Sequence, residues 1–359
     1  MFVYFLNIAF LFFWAAIFLN KKNQLADQLN NKAIYCTLAT TQWIILSGLR
    51  HVSVGADTVA YKYAFERVIV TPWSIIWSDF FRIFEGNTDL KAPGYALFQK
   101  IVQVFTNDYQ VYLVFIALAF TIPLGLFIYK YSKEPCLSFL IYSCLFYSFF
   151  AITGHRQTIA TALVVLIGFK CIRGRKLIPF IILTVLAYTI HKSALVFFPF
   201  YFIAPIRITA KKLVIYVIVS ILFFVFFQTI YAAVAKYLGY ERAMETDIPV
   251  SGRFVVMMVA IGFMVLFRGK DILLNNPEFS FFAYALTLAI IFSVLTTFNQ
   301  AFMRIQQYYS LSIMICIPEI VYSFKTAKEK MLVYAVACSA LLLLYTNSVQ
   351  TYLFFWQVS

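Results

Sequence analysis

The 359-residue chain is 63% hydrophobic and 12% charged, with 41 Phe and 24 Tyr, which excludes one water-soluble core and implies many apolar spans joined by short polar loops. Its formal net charge of +14 would suit nucleic acid, but in so apolar a chain it points to basic loops on the cytoplasmic side of a membrane, with no nucleic-acid partner. The six cysteines, Cys36, Cys136, Cys144, Cys171, Cys316 and Cys338, lie singly in apolar stretches without metal-ligand spacing, so they read as free core residues.

Apolar runs predict spans over 1–20, 33–49, 109–129, 136–152, 157–173, 177–190, 194–206, 213–232, 254–267, 279–298, 305–324 and 331–350. The expected fold is therefore an all-α polytopic membrane protein of about 12 transmembrane helices, one integral membrane domain over 1–359. The first run has no basic n-region and no small-residue cleavage site, and Lys21-Lys22 follows it, so a retained span is expected rather than a signal peptide. The segment 50–108 is the longest outer loop. Its stretches TPWSIIWSDFFRIF and PGYALFQKIVQVF are too short or too polar to span, and read as interfacial or re-entrant helices. A second outer loop covers 235–252.

Orientation follows from the basic residues. The loops KKNQLADQLNNK, KYSKEP, KCIRGRK, PIRITAKK, FRGKD and FKTAKEK hold 17 of the 29 lysines and arginines. The positive-inside rule makes that side cytoplasmic and puts both termini outside.

The helix macrodipole favours cations at C-termini. Lys170, Arg173, Arg268 and Lys325 obey this, at or just beyond inner helix ends. The outer side departs from it. Arg156 falls in the first turn of the 157–173 helix, His191 and Lys192 open the 194–206 helix, Arg253 follows Ser251-Gly252, and Arg304 opens the 305–324 helix. Helix N-termini with guanidinium forks make a phosphate or diphosphate site. The rival reading has each side chain snorkel to outer headgroups.

Acids inside the spans are few, and Glu319 is expected to face the cytoplasm rather than a proton path. No G-x-S-x-G, Walker A or H-E-x-x-H pattern occurs. With His51, His155 and His191 the only histidines, no metal site is expected, and His155 reads as a loop residue.

The motifs also carry a resemblance. Arg50, Val54-Gly55-Ala56-Asp57-Thr58, Tyr61 and Phe65 are similar to the R…vGtDt..Y...F signature of EpsG-like, Wzy-type polysaccharide polymerases. Pro93-Gly94-Tyr95 resembles the family's PGY segment, with Ala92 where an acid is common. His155-Arg156-Gln157 with Ile159-Ala160 resembles RQ-x-(I/L)-A, His191-Lys192-Ser193-Ala194-Leu195 matches HKSAL, and Arg304 with Tyr308 or Tyr309 resembles the late R…Y element.

The resemblance implies polymerisation of surface-polysaccharide repeat units at the periplasmic face of a bacterial inner membrane. The growing chain on undecaprenyl diphosphate would pass to an incoming lipid-linked unit, without a cofactor. A chain-length regulator and a flippase would be its partners, besides membrane lipids. Departure of a lipid diphosphate needs developing negative charge stabilised, a role for Arg156, Arg253 and Arg304, with Arg50 and Lys192 as further binding candidates. Asp57 and His191 are the candidate bases for the acceptor hydroxyl. For Asp57 the competing role is an Asx-turn or helix N-cap. Gln157, Tyr61 and Tyr308 would orient sugar or phosphate oxygens. The alternatives are transfer of the chain to a lipid core acceptor, as a ligase does, and transport of lipid-linked oligosaccharide.

Overall fold

The computed structural model describes residues 2–19, 25–85, 92–206, 252–296, 301–346 and 351–357. The predicted span 213–232, loop residues 235–251, the PIRITAKK loop from Arg207 on, Lys21 and Glu241 lie outside them. Among the described residues all regular structure is helical, apart from one isolated antiparallel bridge between Arg50 and Phe354. In chain order the helices are α1 (Phe2–Phe18), α2 (Leu25–Gly48), α3 (Thr58–Val70), α4 (Trp73–Arg82), α5 (Pro93–Val102), α6 (Tyr109–Tyr131) and α7 (Pro135–Ile141). There follow α8 (His155–Thr161), α9 (Gly168–Arg173), α10 (Leu177–Ile190), α11 (Phe200–Ile203), α12 (Gly252–Asn275), α13 (Phe279–Leu295), α14 (Ala301–Ser310), α15 (Ile313–Ser323) and α16 (Ala327–Thr346).

Two compact units divide these. The first comprises residues 1–198 and 326–359, the second 199–325.

In the first unit α2 packs along α6, antiparallel: Gln110 Nε2 donates to the Gly48 carbonyl (2.5 Å) at one end, and Lys32 Nζ to the Ser132 carbonyl (2.7 Å) at the other. Asp108 caps α6, its side chain accepting from the Gln110 amide (2.7 Å). Beyond α7 the helix widens into π segments at Tyr142–Phe146 and Ser148–Thr153, and α8 runs through another, Ala162–Ile167, into α9. Side chains of α2 meet the widened turns. Trp43 Nε1 donates to Ser143 Oγ (3.2 Å) and Ser47 Oγ to the Ala151 carbonyl (2.6 Å).

Large apolar side chains on these helices face outward, among them Phe10, Phe13, Ile178, Ile182, Phe263 and Phe267. Water would not tolerate such faces at this density, whereas lipid tails do. Helix α6 and helix α12 are each long and apolar enough to cross a membrane alone, and several apolar helices of 10–17 residues accompany them. The architecture is that of a polytopic membrane protein.

The segment 50–108 folds as expected into helices at Trp73–Arg82 and Pro93–Val102, and α3 adds a third that the hydropathy did not reveal. Helix α4 keeps Trp73, Trp77 and Phe81 exposed and buries Ile76 against Val68 and Leu97, the division an interfacial helix needs.

Several expectations need correction. Helix α2 begins at Leu25 because the polar stretch LADQLNNK continues the helix past the apolar run. The FRGKD stretch is not a loop. It lies within α12, so Arg268 sits inside a helix, where its Nε donates to Ser323 Oγ (3.1 Å), its Nη2 donates to the Ser323 carbonyl, and it pairs with Asp271 (2.9 Å). Glu319 does not face an aqueous phase; it is buried in the second unit, accepting from Asn276 Nδ2 (2.7 Å). The 194–206 span is a 3-10 turn, Lys192–Phe197, followed by the short α11, and the 305–324 span is broken between Ser310 and Ile313.

Candidate functional site

Arg50 follows α2 and is fully buried. The C-terminal tail crosses its backbone: His51 N donates to the Leu353 carbonyl (2.8 Å) and Phe355 N to the Leu49 carbonyl (3.0 Å). The guanidinium points inward. Nη1 donates to the Ser47 carbonyl, and Nη2 donates to the Ile152 carbonyl (3.0 Å) and lies 2.7 Å from His155 Nε2. The charge therefore sits against terminal carbonyls of two helical runs, where macrodipoles favour a cation. Burial pushes the Arg50 guanidinium down from its ordinary value to about 10, so it stays charged near neutrality. With Ser47 Oγ on the Ala151 carbonyl and Thr158 Oγ1 on the Phe150 carbonyl (3.2 Å), three successive carbonyls of the π segment, 150 to 152, accept from side chains.

Around His155 three of the motifs meet. Its ring stacks on Tyr61, with centroids 4.3 Å apart and planes 13° from parallel, and its Nδ1 lies 3.4 Å from the Tyr95 hydroxyl. Tyr61 meets Tyr95 edge-on at 5.6 Å. Arg156, the next residue, places its guanidinium carbon 5.8 Å from the Tyr61 centroid, a cation–π contact. Arg156 and Tyr61 are half-buried, on the accessible side of the cluster, whereas Arg50 and His155 are closed off. Among the described residues no carboxylate pairs with Arg156, and its buried Nε makes no hydrogen bond.

Local geometry explains why the motifs contain what they do. Gly55 has φ of +106°, which only glycine adopts without strain, and a Cβ there would lie 2.8 Å from Ile152. The turn it makes lets Thr58 Oγ1 donate to the Val54 carbonyl (2.8 Å), while Tyr109 donates to the Thr58 carbonyl (2.9 Å). Asp57 occupies the N-cap position of α3 but makes no side-chain cap bond, and it is exposed. Pro93 opens α5, and Gly94 lets that helix touch Thr189 of α10. His191 ends α10 in extended conformation, its N–H on the Ala187 carbonyl (2.8 Å), and exposed Lys192 starts the 3-10 turn. Helix α10 packs on both α5 and α8.

The structure thus brings Arg50, Tyr61 and Arg156 together in the first unit, with Asp57 at the head of Tyr61's helix and His191 at the end of α10. Gln157 is buried, so it is not on the accessible face. His155 and Tyr95, which sequence reasoning passed over as a site, are central to it. Their signal was present in the HRQ and PGY motifs, but the aromatic stacking that joins them has no sequence pattern. The remaining candidates belong to the second unit: Arg253 and Arg304 are exposed in the first turns of α12 and α14, and Tyr308 is buried. Among the described residues no three His, Cys, Asp or Glu side chains gather as a metal-binding group.

The EpsG family model matches residues 33–356, a stretch that holds every motif quoted above. No curated protein and no solved structure matches the chain. On that nearly full-length match, the chain belongs to the EpsG family and is a membrane protein of polysaccharide biosynthesis.

Proposed function

We propose that the protein polymerises undecaprenyl-diphosphate-linked oligosaccharide units by glycosyl transfer at the periplasmic face of a bacterial inner membrane. Arg156 carries this reading. A guanidinium in the first turn of a helical run, half-buried over an aromatic ring and with no carboxylate paired to it among the described residues, is suited to an anion. In the proposed reaction that anion is the lipid diphosphate, a reading in keeping with a membrane protein of polysaccharide biosynthesis.

Charge placement in the first unit supports the orientation. The end opposite Arg50 carries Lys32, Lys130, Lys133, Lys170, Arg173 and Lys176, with Arg173 over Tyr131 (5.9 Å) and Lys32 over Tyr129 (5.6 Å). The positive-inside rule makes that end cytoplasmic and the Arg50 end periplasmic.

In the reaction the acceptor sugar's hydroxyl oxygen bonds to the anomeric carbon of the growing chain as the bond from that carbon to the lipid diphosphate breaks. Arg156 stabilises the charge that gathers on the departing diphosphate, and it does so best where water is excluded. The hydroxyl proton passes to a base, Asp57 or His191. Tyr61 presents its half-buried ring and hydroxyl beside Arg156 to orient sugar or phosphate oxygens.

The test is Arg156→Ala in cells lacking their own copy of the gene. Long chains should vanish and single units persist, with the protein inserted at normal levels. Arg156→Lys should rescue poorly, since a point charge cannot reproduce a bidentate fork. Full-length polymer from the alanine variant would return Arg156 to the snorkelling reading. Loss of the single units as well, on gene deletion, would indicate a flippase or ligase instead.

A further inference from the structure

The proposed reaction leaves His155 without a task, although it is only 2% exposed and is the point on which Arg50, Tyr61 and Tyr95 converge. A guanidinium has only donors. At 2.7 Å from Arg50 Nη2, His155 Nε2 must therefore accept, because the other tautomer would set two N–H groups against each other. The ring proton is then on Nδ1, directed at the Tyr95 oxygen. Two in-plane contacts fix the imidazole plane, and Tyr61 lies nearly parallel to it. The orientation of Tyr61 is set in this way by a buried arginine it never touches.

We infer that His155 is a positioning residue: an Nδ1–H imidazole that transmits the fixed location of the buried Arg50 to Tyr61 and Tyr95, and so to the face on which substrate sits. It is not a base, since one ring nitrogen already accepts from Arg50 and the other carries the proton. Nor does it touch substrate, being closed off behind Tyr61. Only the kinetic half of the following test rests on the proposed polymerase reaction.

The protein has three histidines, so ¹⁵N-histidine labelling of the full chain in detergent, with His51→Gln and His191→Gln for assignment, reports each ring's tautomer directly. At pH 7 the expected result for His155 is a protonated Nδ1 and an unprotonated, hydrogen-bonded Nε2. A protonated Nε2 overturns the inference, whether or not the protein polymerises anything. In the kinetic half, purified lipid-linked units serve as substrate. His155→Gln, whose amide can accept from Arg50 and donate to Tyr95, should keep a tenth or more of the elongation rate per folded molecule. His155→Phe keeps a ring against Tyr61 but offers Arg50 no acceptor, and should fall about a hundredfold with little change in KM. Wild-type rates in the phenylalanine variant, or glutamine falling as far as phenylalanine while folded, would refute the positioning role. If His155→Phe fails to fold, the tautomer and the glutamine variant still decide it. A wild-type protein without polymerase activity would sink the proposed function and leave the tautomer result standing.

Discussion

Gly94→Ala tests the packing that delivers Tyr95 to the site. An added Cβ would lie 2.1 Å from Thr189 Oγ1, 2.7 Å from Thr189 Cβ and 2.8 Å from the Thr189 carbonyl carbon. Rotating the threonine removes only the first clash, and it breaks the bond from Thr189 Oγ1 to the Leu186 carbonyl (2.7 Å), worth about 1 kcal/mol. The other two atoms belong to the rigid part of α10, so α5 must retreat by several tenths of an ångström. Overpacking of this kind costs about 1–3 kcal/mol, offset by at most about 1 kcal/mol of helix propensity gained over glycine. The net destabilisation should be about 1–3 kcal/mol, read as a fall in unfolding temperature in detergent. Gly269→Ala is the control: nothing lies within 4 Å of its Cβ, and the same propensity term should leave that variant neutral or slightly stabilised. Because α5 carries Tyr95, 3.4 Å from His155 Nδ1, elongation per folded molecule should drop as well, by tenfold or more, since displacements of this size at a positioning group cost up to about 10²-fold. A Gly94→Ala protein with unchanged unfolding temperature and unchanged elongation would refute the close approach of α5 to α10 and the coupling drawn from it.

Two further outcomes follow from the placement of other residues. A cysteine at Arg175 should resist an impermeant thiol reagent applied from outside while one at Asp57 reacts; labelling of the Arg175 position from outside would invert the orientation. Asp57→Asn should leave stability within about 0.5 kcal/mol, since the side chain is exposed and caps nothing, yet slow elongation by about 10²–10⁴-fold if Asp57 is the base. His191→Gln is the paired measurement in the same single-turnover assay, and near-normal rates in both would leave leaving-group stabilisation by Arg156 as the main source of catalysis.

Hydropathy located most helices because lipid demands apolar surface, and surface is what composition records. It misplaced their ends wherever a helix outlasts its apolar stretch, as at Leu25 and through Arg268 to Asn275, since backbone hydrogen bonding does not stop where the lipid does. The π segments at 142–146, 148–153 and 162–167 left no trace in the sequence, and the donors that meet the carbonyls of the 148–153 segment, Ser47 and Arg50, lie about a hundred residues away. In the site, Arg156 was legible as a cation at a helix start. Arg50 was legible as a motif residue but not for what it does: its partners are two carbonyls and an imidazole, and carbonyls are invisible to any search for charge pairs. His155 was set aside for the same reason, its meaning residing in a tautomer that only a neighbour 105 residues away dictates.

The tail that crosses Arg50 gives the first unit an unusual order of assembly. Leu46 accepts from the hydroxyl of Tyr352, 306 residues later, and the backbone on either side of Arg50 has its hydrogen-bond partners in Leu353 and Phe355. Everything from 199 to 325 is inserted between these halves in the sequence. Closing so long a loop costs roughly 5 kcal/mol of chain entropy by (3/2)RT ln n, before any contact compensates it. During synthesis at about 5–20 residues per second, the Arg50 turn would wait roughly 15–60 s for the strand that pairs with it. A nascent chain in the membrane therefore holds an unfinished site until residues 352–355 emerge, and a chain truncated before Tyr352 leaves the backbone at Leu49 and His51 without those partners.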